Sequence, residues 1–231
     1  FAFEPTEEEY LYQMCCANIT VSSRFLSFYG KYVILPVTPE KEEALAGNLI
    51  LASSSPRRRE LLEGMGLAFQ VAEAQVDENH PGEPKAVVRH LAQLKARDVA
   101  QRFPEGAILG ADTLVSLDGQ ALGKPRDLAD AARMLRMLSG RWHEVCTGIC
   151  LISRGQEYMG FEETRVRFAA LTDGDIQRYC ASGEPMGKAG AYAIQGRAGM
   201  YIPEIHGSYS NVVGLPTALT RTMLMAIGYL L

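Results

Sequence analysis

Apolar and polar residues follow strand-like and helix-like spacing in turn from residue 48 onward. The apolar run Leu49 to Ala52 predicts a buried strand, and Pro56, a residue that favours the first turn of a helix, is followed by leucines at helical spacing. The turn signal Asp118-Gly119 lies between apolar runs and predicts a hairpin of residues 107–117 and 120–124. The further predicted elements are strands at 67–76, 143–152 and 157–169, a strand region at 184–207, and helices over about 85–103, from Asp127 to Gly140, from Thr172 and from Pro216. Strands that alternate with helices in this way predict an α/β fold with a mixed, twisted sheet flanked by helices.

The composition is that of an ordinary soluble globular protein. The chain has 231 residues, of which 47% are hydrophobic and 22% are charged, enough for one large domain or two small ones. Its formal net charge of −4 argues against a general binder of nucleic-acid polymers, since such proteins neutralise phosphates with a basic surface. No apolar run reaches the length that crosses a membrane, so we expect no membrane association.

The cysteines and histidines predict neither a disulfide framework nor a structural zinc site. None of the five cysteines forms a Cys-x-x-Cys pair, and the four histidines are scattered along the chain. Cys146 and Cys150 lie four residues apart in a predicted strand, about 13 Å from each other, which is too far for a disulfide. We therefore expect a reducing compartment, the cytoplasm.

Residues 1–47 differ from the rest of the chain, and we interpret them as a leader or fragment without a catalytic role, beside a functional domain at 48–231. The sequence Phe-Ala-Phe-Glu-Pro at residues 1–5, followed by Tyr10 and Asn18, is similar to the segment of FkbM-type methyltransferases that binds the ribose of S-adenosylmethionine. The glycine-rich loop of that family would precede residue 1. A methyltransferase function rests on residues 1–20 alone, and binding of S-adenosylmethionine is its test.

Three serines at 53–55 and three arginines at 57–59 surround the predicted start of a helix. Free N–H groups, the positive end of the helix dipole and the guanidinium groups would point at one small volume, which favours a phosphorylated anion. The alternative interpretation is a capped surface helix with solvated arginines.

Two charged side chains stand where the pattern predicts burial. Lys95 falls on the apolar stripe of its predicted helix, so it must either reach the surface or meet an anion. Asp112 lies between two apolar runs, and is either a hydrogen-bonded structural residue or a catalytic or metal-binding one. In the predicted hairpin Lys124 falls opposite Thr113, which would place it beside Asp112.

Two further polar residues are ambiguous when taken alone. Glu78 lies in a polar loop, where acidic residues are usually solvated. Gln195 lies between Gly190 and Gly196, where the backbone could approach a ligand and the amide could read a base edge. The alternative is a glutamine at a strand end that is bound to backbone.

Taken together, these segments resemble the Maf family of nucleotide pyrophosphatases over about residues 48–227. The matching motifs are Ala-Ser-Ser-Ser-Pro-Arg-Arg-Arg-Glu-Leu-Leu (52–62), Asp77-Glu78, Leu91-Ala-Gln-Leu-Lys-Ala96, Gly110-Ala-Asp-Thr113, Gly123-Lys-Pro125, Leu138-Ser-Gly-Arg-Trp-His-Glu-Val-Cys-Thr147, Lys188-Ala-Gly-Ala-Tyr-Ala-Ile-Gln-Gly196 and Asn211-Val-Val-Gly-Leu-Pro216. Each motif is weak alone, and all of them in this order are highly specific.

The resemblance implies hydrolysis of a nucleoside triphosphate to the monophosphate and pyrophosphate, with a divalent metal cation, Mg²⁺ or Mn²⁺. It also implies a fold related to inosine triphosphate pyrophosphatases, with a cleft between two lobes, and a homodimer. The implied roles are Asp112 as the general base; Ser53, Arg57, Arg58, Lys95 and Lys124 as phosphate-binding residues; Glu78 with Asp112 at the metal; and Arg57, Thr113 and Gln195 in the choice of substrate. The ending Ile-Gln-Gly resembles the branch that prefers dTTP and UTP.

The chain departs from the family pattern at Gly187, where the family usually has aspartate before Lys188. If that aspartate supports the site, activity here is weakened or metal binding altered. This departure favours the alternative function, a nucleotide-binding regulator of septum formation or cell division with little catalysis. Tight nucleotide binding without turnover would distinguish the regulator from the enzyme.

Overall fold

The computed structural model describes residues 23–28, 31–36 and 48–229, the first two ranges as backbone strands. The methyltransferase-like segment 1–20 lies outside these residues. The strands are β1 (Ser23–Phe28), β2 (Lys31–Pro36), β3 (Leu49–Ala52), β4 (Phe69–Val71), β5 (Ala107–Leu117), β6 (Gln120–Leu122), β7 (Trp142–Ser153), β8 (Gln156–Arg167) and β9 (Glu204–His206). The helices are α1 (Pro56–Gly64), α2 (Pro84–Arg102), α3 (Leu128–Leu138), α4 (Asp173–Ala181), α5 (Tyr209–Val213) and α6 (Thr217–Ala226), with short 3₁₀ turns at Ala189–Ala191 and Arg197–Tyr201.

The described strands form one mixed sheet, which confirms the predicted α/β class. Their order is β1-β2-β8-β7-β5-β3-β4, with β6 on β5 and β9 on β8. Strand β3 runs parallel to β4 and β5, whereas β5, β7 and β8 pair antiparallel. All four residues of β3 are buried, as expected for a strand between two parallel neighbours.

Helix α2 lies directly on the sheet because two glycines leave room for its backbone. A Cβ atom on Gly110 of β5 would lie 2.4 Å from the carbonyl oxygen of Ala92, and one on Gly148 of β7 would lie 2.4 Å from that of Val88. The carboxylate of Glu83 begins the helix by accepting hydrogen bonds from the backbone N–H groups of residues 85 and 86. The face of α2 that carries Lys95 is thereby pressed against β5.

The core divides into two main apolar clusters along β5. Leu109 and Ala111 belong to the cluster with β3, α1 and α6, and Val115 and Leu117 belong to the cluster with α3 and α4. Residues 112 and 113 lie between the two clusters on the same strand. A cleft opens at this point and takes lining residues from both sides.

Two predicted strands are wrong in extent. The strand predicted at 67–76 is limited to Phe69–Val71, the three residues that pair with β3. The strand region predicted at 184–207 consists mostly of turns and 3₁₀ segments, and only Glu204–His206 is strand. Glycines 183, 187 and 190 have positive φ, which interrupts an extended chain.

Candidate active site

All nine residues that the sequence singled out line the same cleft. They are Ser53, Arg57, Arg58, Glu78, Lys95, Asp112, Thr113, Lys124 and Gln195. They come from the β3–α1 turn, the first turn of α1, the loop before α2, the face of α2, the middle of β5, the segment after β6 and the turn before the second 3₁₀ segment. The fold therefore collects residues that are up to 142 positions apart in the chain (195 minus 53).

Lys95 is buried and meets two carboxylates. Its Nζ atom lies 2.6 Å from Oδ1 of Asp112 and 2.6 Å from Oε1 of Glu78. Lys95 is 6% exposed and Asp112 is 8% exposed, so this charge cannot reach water by extending along the surface. Of the two alternatives left open by the sequence, an anionic partner for Lys95 is the one that the structure contains.

Glu78 connects the two lysines of the cluster. Its second carboxylate oxygen accepts a hydrogen bond of 3.2 Å from Nζ of Lys124. Burial raises the pKa of Glu78, but the hydrogen bonds from Lys95 and Lys124 outweigh it and lower the pKa to about 2. The carboxylate is therefore ionised at neutral pH.

The predicted pairing of Lys124 with Thr113, in a strand that reaches residue 124, is wrong. The β5–β6 ladder ends at the pair Val115 and Leu122, two residues before Lys124. The carbonyl of the next residue, Gly123, accepts a hydrogen bond from the backbone N–H of Gly190 instead of continuing the ladder. Lys124 consequently joins the cluster through Glu78.

Arg58 carries a buried positive charge whose hydrogen bonds all go to neutral acceptors. Its Nε donates to the carbonyl of Gly214 at 2.9 Å, and its two terminal nitrogens donate to Oγ of Ser53 and Oγ1 of Thr113, each at 3.1 Å. Burial lowers the pKa of Arg58 and the charge of Asp112 opposes this, but guanidinium groups remain charged in proteins. The charge lies at the cleft, and among the described residues no carboxylate accepts a hydrogen bond from it.

The last residue of α5 and the residue after it supply backbone acceptors that the sequence did not indicate. The carbonyl of Val213 accepts from Nε of Arg57 at 3.3 Å, and the carbonyl of Gly214 accepts from Arg58 and from Oγ1 of Thr113. The buried amide of Asn211 fixes this segment by donating to the carbonyl of Val145 at 2.9 Å. The motif at 211–216 was the available signal, but a backbone acceptor has no residue type by which to recognise it.

Gln195 lies in an exposed turn at one wall of the cleft and not at a strand end. Its side chain forms no hydrogen bond with the residues that the structure describes, so the alternative of a glutamine bound to backbone is wrong. The amide is available to a ligand in the cleft.

Lys188 is a cleft residue that the sequence interpretation missed. Burial and the nearby charge of Arg57 lower the pKa of Lys188, while Glu184 opposes them. The preceding Gly187 also lines the cleft, has φ +72°, and is surrounded by open space where a side chain would lie. A cation in the glycine-rich motif at 188–196 was the signal in the sequence.

The carboxylates of Glu78 and Asp112 suit a magnesium or manganese ion that enters together with a phosphorylated ligand. Within the described ranges no cluster of three or more His, Cys, Asp or Glu side chains is arranged to hold a metal. Proteins usually bind Mg²⁺ through one or two carboxylates, and waters and substrate phosphates complete the octahedron. Glu78 and Asp112, which both line the cleft, are two such carboxylates.

The buried thiols do not take part in this site. Cys146, Cys150 and Cys180 are free, which confirms that no disulfide joins the first two. Burial raises the pKa of Cys146 and of Cys150 to about 12, so neither is a nucleophile at neutral pH. Among the helices that the structure describes, none has the length and apolar character needed to cross a membrane.

Comparison with known proteins gives a family match and close relatives. The family described as Maf-like protein matches residues 48–227. The dTTP/UTP pyrophosphatase of Symbiobacterium thermophilum is 54% identical over 183 residues, covering 78% of this chain and 94% of the relative. Those of Pelotomaculum thermopropionicum (49% over 185 residues, 78% and 97%) and Thermococcus gammatolerans (50% over 168 residues, 73% and 90%) are similar to the same degree.

Solved structures are more distantly similar. A nucleoside-triphosphatase (dITP/XTP pyrophosphatase) from Mycobacterium abscessus has a TM-score of 0.38 and 17% identity, covering 54% of this chain and 76% of that chain. The Ham1 protein of Staphylococcus aureus has a TM-score of 0.41 and 14% identity, covering 53% and 72%.

Proposed function

The chain belongs to the Maf family, and from that premise we propose that it hydrolyses nucleoside triphosphates to the monophosphate and pyrophosphate. The observation that carries the proposal is the cluster of Lys95, Asp112 and Glu78 beside Arg58. It combines an ionised acid with cations at the base of one cleft. Phosphoryl transfer needs this combination more than it needs a protein nucleophile.

Asp112 is the general base in this proposal. Its carboxylate takes a proton from a water molecule whose oxygen forms a bond to the α-phosphorus. The bond from that phosphorus to the bridging oxygen breaks, and pyrophosphate leaves. Lys95 orients the Asp112 carboxylate through a hydrogen bond of 2.6 Å from its Nζ atom to Oδ1.

The cations of the cleft hold the triphosphate. Arg58 is positioned by neutral acceptors, so its charge is free to face phosphate oxygens, and Arg57, Lys124 and the hydroxyl of Ser53 line the same cleft. A Mg²⁺ or Mn²⁺ ion held by Asp112 and Glu78 would neutralise charge on the phosphates and on the leaving pyrophosphate.

We infer a preference for dTTP and UTP from the relatives that carry those substrates in their names and are 49% to 54% identical. Arg57, Thr113 and Gln195 are the residues assigned to this choice. Gln195 supports the assignment because its side-chain amide presents two N–H donors and one carbonyl acceptor at the cleft wall. These are the groups needed to form hydrogen bonds with the edge of a base.

The test is a screen of the purified full chain for pyrophosphate release. The substrates are dTTP, UTP, CTP, dATP and GTP, each with Mg²⁺, with Mn²⁺ and with chelator, and the monophosphate product is identified by chromatography. We expect turnover of dTTP and UTP that chelator abolishes. Tight binding of a nucleotide without turnover at saturating metal would instead favour a nucleotide-binding regulator of septum formation or cell division.

We further propose that the enzyme acts in the cytoplasm as a homodimer. Nucleoside triphosphates are a cytoplasmic substrate class, and the buried free thiols suit a reducing compartment. The dimer rests on the family resemblance alone. Cell fractionation and analytical ultracentrifugation of the full chain test the two statements separately.

A further inference from the structure

The turn that carries Gln195 is held by side chains outside the cleft lining. One carboxylate oxygen of Glu184 accepts from the hydroxyl of Tyr179 at 2.8 Å, and the other accepts from the backbone N–H of Arg197 at 3.0 Å. The hydroxyl of Tyr179 in turn accepts from the backbone N–H of Ala193 at 3.3 Å. These bonds attach the backbone two residues before Gln195 and two residues after it.

Glu184 and Tyr179 are themselves fixed. Tyr179 is 3% exposed and lies near the end of α4, where its carbonyl accepts from the hydroxyl of Ser182 at 2.6 Å. That same hydroxyl accepts from the backbone N–H of Glu184 at 3.2 Å. We call the side chains of Tyr179 and Glu184 the clamp. The clamp is anchored at the end of α4, and the turn that carries Gln195 is held in place by it.

The close approach of the turn to the clamp requires a glycine. A Cβ atom on Gly196 would lie 2.3 Å from Oε1 of Glu184, so any side chain there would displace either the carboxylate or the turn. Gly196 directly follows Gln195. A shift of the Glu184 carboxylate would therefore move Gly196, and with it Gln195, because one peptide bond joins these two residues.

The protonation states suit a permanent clamp. Burial raises the pKa of Glu184, but the hydrogen bonds from Arg197, Tyr179 and Ala198 lower it overall, and the carboxylate is ionised. Burial and the hydrogen bond to Glu184 raise the pKa of Tyr179, which therefore keeps its proton and donates it.

We propose that Tyr179 and Glu184 are positioning residues that set the place of Gln195 in the cleft and thereby the choice of nucleobase. This inference rests on the proposed function, since it concerns the same site. Neither side chain touches the reacting atoms. Their effect is on how well the amide of Gln195 meets one base compared with another.

The test is a double-mutant cycle read as the ratio of kcat/KM for the preferred pyrimidine triphosphate to that for a purine triphosphate. Tyr179→Phe removes the hydroxyl and keeps the ring, and we expect it to lower this ratio about five- to tenfold, within the range for residues in one hydrogen-bond network. Glu184→Gln, which keeps the shape of the side chain, should act in the same direction. In a Gln195→Ala background Tyr179→Phe should change the ratio less than about twofold.

The matched control is Tyr201→Phe. Its ring lies 6.2 Å from that of Tyr179, and its carbonyl accepts from the backbone N–H of Ala169 at 2.8 Å. Its hydroxyl forms no hydrogen bond with the part of the chain that the structure describes. The control should leave the ratio unchanged. A merely structural clamp would give lower melting temperatures in Tyr179→Phe and Glu184→Gln with the ratio unchanged, or an effect that persists without Gln195, and either result overturns the inference.

Failure of the proposed function is distinguishable from failure of this inference. A wild-type chain that releases no pyrophosphate from any nucleotide contradicts the proposed activity. If that chain still binds nucleotides, the same cycle is measured on the ratio of dissociation constants, with the same expected outcomes. If it binds none, both the proposed function and the inference that rests on it are wrong.

Discussion

Nζ of Lys95 lies 2.6 Å from Oδ1 of Asp112, and this ion pair joins the buried face of helix α2 to the middle of strand β5. Its length depends on how closely the helix lies on the sheet. That distance is set by Gly110 and Gly148, where the helix backbone occupies the space of a side chain. The charge geometry of the cleft is therefore a consequence of helix–sheet packing.

We predict that Gly148→Ala lowers both stability and activity. The added methyl group would lie 2.4 Å from the carbonyl oxygen of Val88, a backbone atom that only a shift of α2 can move. Overpacking of this kind costs about 1–3 kcal/mol in the free energy of unfolding, measured with urea. Because the shift separates Lys95 from Asp112, kcat should fall by about 100-fold, the cost of a displacement of roughly 1 Å at a reacting group.

Gly64→Ala is the control for this substitution. A Cβ atom at Gly64 meets nothing within 4 Å, so the free energy of unfolding should change by less than about 0.5 kcal/mol. If Gly148→Ala and Gly64→Ala changed the free energy of unfolding equally, α2 would tolerate a methyl group at position 148. The proposed link between helix–sheet packing and the ion pair of Lys95 with Asp112 would then be wrong.

Asp112→Asn tests the assignment of the general base. The substitution keeps the size of the side chain and removes its ability to accept a proton, so we expect pyrophosphate release to fall by about 10²- to 10⁴-fold. Lys95 keeps its partner Glu78, and circular dichroism should report an unchanged fold. The control is Asp118→Asn, an exposed residue of the hairpin turn paired with Arg141. Full activity of Asp112→Asn would remove this residue from the mechanism.

Arg58→Lys should lower stability and weaken substrate binding, although lysine carries the same positive charge. The guanidinium donates in three directions, to Ser53, Thr113 and Gly214, and an ammonium cannot reproduce that planar fork. We expect a loss of about 2 kcal/mol in the free energy of unfolding, since buried acceptors lose a charged donor. The KM for the triphosphate should also rise about tenfold or more. The neighbouring Arg59→Lys, at an exposed position, should change the unfolding free energy by less than about 0.5 kcal/mol.

The charged residues on buried faces were predictable from the sequence, because helical and strand spacing are local properties. Lys95 on an apolar stripe and Asp112 between apolar runs each conflict with the cost of burying a charge, and the structure resolves both conflicts by pairing them. The turn at Asp118-Gly119 was predictable for the same reason, since its backbone requires positive φ at both residues, 51° and 77°.

The parts of the site that depend on loops were not predictable in the same way. Glu78 links Lys95 to Lys124, but no periodicity fixes the direction of a side chain in a polar loop. The segment 184–207 was interpreted as a glycine-rich strand region, whereas its glycines and the hydrogen bonds of Glu184 give it turns. Long-range contacts decide such segments, and local sequence does not contain them.

The low pKa of Glu78 gives the last prediction, a pH-dependent contribution to stability. The pKa is about 2 in the folded chain, against about 4.3 in an unfolded one, so the contribution is complete above pH 4.3 and is lost as the pH falls towards 2. Since 49% of the side chain is exposed, screening by water limits it to about 1 kcal/mol. Urea unfolding of the wild type and of Glu78→Gln between pH 7 and pH 3 should show a difference that narrows below about pH 4.5. Glu60→Gln, on the exposed side of α1, should show no such narrowing, and a constant difference for Glu78→Gln would mean that the two lysines do not hold its charge.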